Sequence, residues 1–78
     1  MKVMLKDVNA VGLFVRASES YPKDVTVSQG RYIVDGKSML GVLSLSCNAP
    51  VKVETSGVDT EDEAKYAETL RNRGLLIE

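Results

Sequence analysis

Hydrophobic and polar residues alternate with a period of two in four short stretches. Val3 and Leu5 are interleaved with Lys2, Met4 and Lys6, the pattern of a half-buried strand. Asp24-Val25-Thr26-Val27-Ser28 repeats it with β-branched residues. Gln29-Gly30 is a turn signal, and Arg31-Tyr32-Ile33-Val34-Asp35 then reads as the returning strand of a hairpin. Pro50-Val51-Lys52-Val53-Glu54-Thr55 is the fourth, with its valines on one face and Lys52 and Glu54 on the other.

Three other stretches carry helical spacing. Gly12 to Tyr21 predicts a short helix ended by Pro22, since the residue before a proline disfavours the α region. Ser38 is a good N-cap for at most two turns reaching Leu45. Thr60-Glu61-Asp62-Glu63 reads as a capping box ahead of a stripe of Ala64, Ala67 and Leu70, with Arg71 and Arg73 near the end and Gly74 placed to stop the helix.

The predicted order is β-α-β-β-α-β-α. Strands with one apolar face need cover on that side only, so the expected fold is α+β: an open-faced two-layer sandwich with a four-stranded, mostly antiparallel sheet and the helices on one face. Val25, Val27, Val34, Val51 and Val53 are expected to point toward those helices. Residues 1–78 are expected to form a single domain, with no repeat or linker interrupting them.

Composition narrows the function. Hydrophobic residues make up 44% and charged residues 27% of the 78, the proportions of a globular chain, and the net charge is −1. Acidic residues outnumber basic ones after position 50, which argues against nucleic acid as a partner because no strong basic field exists to displace counterions. No apolar run approaches membrane-spanning length, and the single cysteine, Cys47, suits a reducing compartment, so the expectation is a cytoplasmic protein with no membrane partner. There is no histidine, which removes most metal sets and catalytic triads. No catalytic residue, metal site or cofactor is expected, and the chain is not read as an enzyme.

Two motifs carry a family resemblance. Lys37-Ser38-Met39-Leu40-Gly41-Val42-Leu43-Ser44-Leu45 is similar to the segment around the regulatory serine of HPr, the phosphocarrier of the bacterial sugar phosphotransferase system. Gly12-Leu13-Phe14-Val15-Arg16-Ala17 resembles that family's active-site run Gly-Leu-His-Ala-Arg-Pro. On this matching, Phe14 stands where the family has its phosphorylated histidine and Ala17 where it has a proline. The interval from Gly12 to Ser38 is then about one and a half to two helical turns short. The first helix, whose N-terminus supports the phosphohistidine in the family, is expected to be truncated.

What the resemblance implies is an HPr-like member that cannot carry phosphate on histidine. It implies a regulatory protein-binding module, with Ser38 as phosphorylation candidate and an HPr-type serine kinase and a transcriptional repressor of carbon catabolism as partners. A phosphate on Ser38 would sit at a positive helix end beside Lys37. Arg16 is read as a solvated charge or an anion-binding candidate, and Phe14 as a surface hydrophobe or a partner anchor. Too many apolar residues crowd two turns after Ser38, so Met39, Leu40 and Leu43 are expected to project together as a partner-binding patch while Val42 and Leu45 face the sheet. Cys47 is expected to be buried and Tyr66 to be packing. A plain binding module without phosphorylation remains the alternative; a carrier using Cys47 or Ser38 as nucleophile ranks last.

Overall fold

The computed structural model describes residues 1–56 and 60–77. Seven elements follow in the predicted order: β1 (Lys2–Val3), α1 (Val8–Glu19), β2 (Val25–Gln29), β3 (Tyr32–Asp35), α2 (Met39–Leu43), β4 (Val51–Thr55) and α3 (Thr60–Asn72). The strands form one antiparallel sheet in the order β1-β4-β2-β3. This is the expected α+β architecture, a four-stranded antiparallel sheet with three helices.

Register explains the core. Val27 pairs with Val34 on one side and Val53 on the other, and Val3 pairs with Val51. Side chains directly opposite share a face, and Val25, Val27, Val51 and Val53 are all buried to within 1% exposure. Val34, nearer the edge, is half-buried and packs on the same cluster. The opposite face presents Thr26, Lys52 and Glu54 to solvent, with Lys52 and Glu54 forming an exposed ion pair at 3.3 Å. The predicted valine face is the observed one.

The first helix departs from expectation. It is not truncated: it begins at Val8, four residues before the predicted start, and runs twelve residues. Asp7 sets that start, its extended backbone and its carboxylate accepting the Ala10 N–H at 2.8 Å. From there Val11, Phe14, Val15 and Ser18 fall on one stripe and are buried.

The third helix has a different stripe from the one predicted. Ala64 is exposed, and Tyr66 and Leu70 are the buried residues. Thr60 is the first helical residue, so the N-cap position lies outside the described residues. Glu63 does not close a capping box within the helix; its carboxylate accepts the Thr55 hydroxyl at 2.7 Å, tying α3 to the end of β4. The predicted stop is observed. Gly74 has φ 72, its N–H donates to the Arg71 carbonyl, and Leu75 N–H reaches back to Leu70, the paired bonds of a Schellman ending.

Residues after that stop return to the sheet. Met4 N–H donates to Leu75 and Ile77 N–H to Lys2, with Val3 bridged to Leu76. The outer edge of β1 is therefore occupied, whereas among the described residues β3 has β2 as its single strand neighbour.

One polar pair lies inside the helix layer. Ser18, wholly buried, donates to the Phe14 carbonyl at 2.9 Å and so receives the Tyr66 hydroxyl at 2.6 Å. Tyr66 is thus more than packing: it joins α3 to α1 while its ring meets Tyr21 at 5.4 Å between centroids. Burial pushes the Tyr66 phenol up to about 12, with the Ser18 hydrogen bond opposing.

Tyr66→Phe is expected to cost about 1 kcal/mol in urea denaturation, because the Ser18 hydroxyl keeps its Phe14 partner. A phenol whose folded pKa is raised contributes stability below its unfolded pKa, near 10, and that contribution disappears as pH rises through the folded value. The wild-type chain is expected to lose about 2 kcal/mol between pH 9 and 12 from this group, and Tyr66→Phe to lack that part of the alkaline loss.

Candidate functional site

The start of α1, the end of α2 and the loop after it line an apolar concavity on the helix layer. A pocket of about 200 Å³ lies between α1 and α2, lined by Leu5, Asp7, Val8 and Val11 on one side and by Val42, Leu43, Leu45 and Cys47 on the other. Val8 is 66% and Leu43 40% exposed, so apolar surface continues from the pocket onto both helices. Leu40, on α2, is 83% exposed, the largest exposure of any bulky apolar residue among those described.

Ser38 caps α2 as the sequence predicts. Its backbone is extended and its Oγ accepts the Gly41 N–H at 3.2 Å. The cap is held from behind by β3: the Asp35 carbonyl accepts the Ser38 N–H at 3.0 Å, and the Asp35 carboxylate accepts the Lys37 N–H at 2.9 Å. Lys37 does not face Ser38. Its ammonium donates to the Tyr21 carbonyl at 2.8 Å, just past the C-terminus of α1 where the helix dipole is negative. The predicted charge support for a phosphate on Ser38 is therefore already engaged elsewhere.

The α2 trio divides. Leu40 and Leu43 are exposed, as expected for a contact patch, whereas Met39 is half-buried and packs on the core cluster. Five helical residues cannot hold three side chains away from the sheet when Val42, three positions after Met39, points directly into it. Leu45 is half-buried against the same cluster. Cys47, expected inside, is exposed in the loop, its thiol 3.9 Å from the Asn48 side-chain Oδ1.

The α1 residues require a larger correction. Phe14 is neither a surface hydrophobe nor a partner anchor: it is 0% exposed, in the middle of α1, and one of the largest side chains in the core. Arg16 is exposed in the last turn of α1, two turns from the N-terminus that would have helped it hold an anion, so no such pairing forms. The residue at that N-terminus is Asp7. The Gly-Leu-x-x-Arg likeness misplaced the helix start by four residues. A reading from the stripe of Val11, Phe14, Val15 and Ser18 back to the nearest capping side chain finds it.

Comparison with known proteins agrees with this geometry. Residues 7–72 match the family described as the PTS HPr component phosphorylation site. The structure superposes on selenomethionyl Crh, a catabolite-repression protein of Bacillus subtilis described as a dimer with a swapped domain, with a TM-score of 0.66. Identity to it is 25%, over 100% of this chain and 90% of that one. No curated protein matches the sequence.

Alanine scanning along α2 separates contact from core. Leu40→Ala is expected to cost under about 1 kcal/mol, since an exposed side chain leaves no cavity, and Val42→Ala about 1–3 kcal/mol. Phe14→His is expected to destabilise by about 3 kcal/mol or more, because it trades ring contacts for two buried ring nitrogens that need partners. Denaturation midpoints of the three variants are the measurement.

Proposed function

Because the chain belongs to the HPr family of the phosphotransferase system, we propose that it acts as a regulatory protein-binding module of the cytoplasm, docking partners on α2 under the control of Ser38. The observation that carries this reading is Leu40: a large apolar side chain, 83% exposed, two residues from a capping serine. An exposed leucine beside Leu43, Val8 and an apolar pocket is surface suited to burial by a partner. Phosphorylation would place roughly two negative charges at the start of α2, altering that patch without requiring the fold to open. Crh offers the functional parallel, as a protein of catabolite repression. The partners in this reading are an HPr-type serine kinase and a transcriptional repressor of carbon catabolism.

Histidine phosphorylation is closed to a chain with no histidine. The α1 N-terminus, which supports the phosphohistidine in the family, carries Asp7 here, with one carboxylate oxygen engaged by the Ala10 N–H. The proposed role makes no use of a phosphoryl group at that position.

Incubation with an HPr-type serine kinase and ATP, followed by intact mass, tests the proposal. The expected result is the gain of one phosphoryl group, abolished in Ser38→Ala, and weaker capture of the repressor by Leu40→Ala in its phosphorylated form. Absence of any gain, or a gain that survives Ser38→Ala, overturns the regulatory reading. In a parallel incubation with enzyme I and phosphoenolpyruvate, no adduct is expected. A hydroxylamine-sensitive one lost in Asp7→Asn would instead assign carrier chemistry to that carboxylate.

A further inference from the structure

The two edges of the sheet are treated differently. The outer side of β1 is occupied by residues 75–77, while β3 has no strand beyond it among the described residues. An uncovered edge presents unpaired backbone donors and acceptors, and proteins that stay apart usually protect it with a lysine, a proline or a bulge. The strand Tyr32–Asp35 has none of these. It carries Tyr32 at 69% and Ile33 at 72% exposure.

The direction of the backbone groups follows from the hairpin. Gln29 pairs with Tyr32 across a two-residue connection, with Gly30 at φ 59 and Arg31 at negative φ, the type II′ pattern. Farther along, the Gly36 N–H donates to the Val25 carbonyl at 2.8 Å. Antiparallel pairs alternate between bonded and unbonded, so Tyr32 and Val34 turn their backbone groups toward β2. Ile33 turns its N–H and C=O outward, at the centre of the edge.

The sequence around Ile33 is self-complementary. Read antiparallel to itself and centred there, Arg31-Tyr32-Ile33-Val34-Asp35 places Ile33 against Ile33, Tyr32 against Val34, and Arg31 against Asp35 at both ends. Arg31 makes no ion pair with a described residue, and the Asp35 carboxylate, whose Oδ1 accepts the Lys37 N–H, retains its second oxygen. Ile33 pairs with Ser28, on the polar face away from the helices, so two copies would cover each other's exposed isoleucine on that face.

We propose that β3 is a homodimerisation edge, on which a second copy of this chain adds its own β3 antiparallel about a two-fold axis through Ile33. The pairing is isologous, with two Ile33–Ile33 backbone hydrogen bonds at its centre and an Arg31–Asp35 ion pair at each end. The Asp35 carbonyl already accepts the Ser38 N–H, so the ladder is short and the ionic ends set its strength. An interface of this size belongs to the weak, reversible class, with a dissociation constant of about 0.1 mM.

Sedimentation velocity over a concentration series to about 1 mM tests it. The expected result for the wild-type chain is a concentration-dependent shift from monomer to dimer. Arg31→Asp and Asp35→Arg are each expected to weaken self-association at least about tenfold, since each sets like charges opposite one another at both ends. Mixed in equal amounts, the two variants are expected to form a heterodimer, because each then meets the opposite charge at both ends. Circular dichroism establishes that both variants fold. If Asp35→Arg unfolds through loss of its bond to Lys37, Ile33→Lys takes its place as the second variant, and it is expected to weaken the wild-type self-association at least about tenfold, since a lysine then faces a lysine at the centre of the pair. A chain that stays monomeric throughout overturns the proposal. A dimer indifferent to the charge at position 31 does so equally, as it would for an exchange of segments of the kind described for Crh.

Discussion

The fold depends on a sheet that is apolar on one face only. Valines at alternate positions of β2 and β4 commit one side to burial, and three helices have to lie there, leaving the other side to water. That requirement determines which side of each helix is buried: Phe14 from α1, Val42 from α2 and Leu70 from α3 all reach this layer with exposure of 1% or less. In a chain this short nearly every large apolar residue is needed for the layer. Leu40, Ile33 and Val8 are among the few left outside it.

The sheet was legible in the sequence because its information is local. A period-two pattern with β-branched residues specifies both strand and face, and a slip of one residue would have put every valine in water. Helix α1 was harder to place. Its stripe of Val11, Phe14, Val15 and Ser18 includes a serine, which breaks a purely hydrophobic reading, and the buried hydroxyl is satisfied by the Phe14 carbonyl one turn back and by Tyr66 from α3. A contact spanning 48 positions of sequence is invisible to a local pattern. The motif beginning at Gly12 then drew the helix start forward, past the capping aspartate that sets it.

The α2 region was legible in the part that backbone chemistry decides. A serine before an apolar run, with a small residue three positions on, specifies the cap whatever surrounds it. Side-chain direction within five residues depends on where α1 lies, and with α1 misplaced, Met39 was read as exposed though it helps to close the core. Cys47 illustrates the opposite error. A small residue after an apolar helix reads as core, yet Gln29 fixes the loop from the sheet side, bonding to Ser46 and Ala49 and leaving the thiol outside.

Asp35 joins the two surfaces that the fold leaves open. Its carbonyl and one carboxylate oxygen hold Ser38 and Lys37 in the turn that starts α2, while its strand position faces the free edge of β3. The Leu40 patch belongs to the helix layer and Ile33 to the opposite face, so a partner on one does not obstruct a partner on the other. The described hydrogen bonds join β3 to the α2 cap in this turn, and Gly41 of α2 packs against Val34 of β3 beside it. A charge added at Ser38 would act on the Asp35 carboxylate by like-charge repulsion, and through it on the ionic ends of a β3 pair. Occupancy of the docking patch alone moves no charge near Asp35. A charge at Ser38 would thus bear on the ionic ends of a β3 pair through Asp35, which an uncharged partner seated on Leu40 would not do.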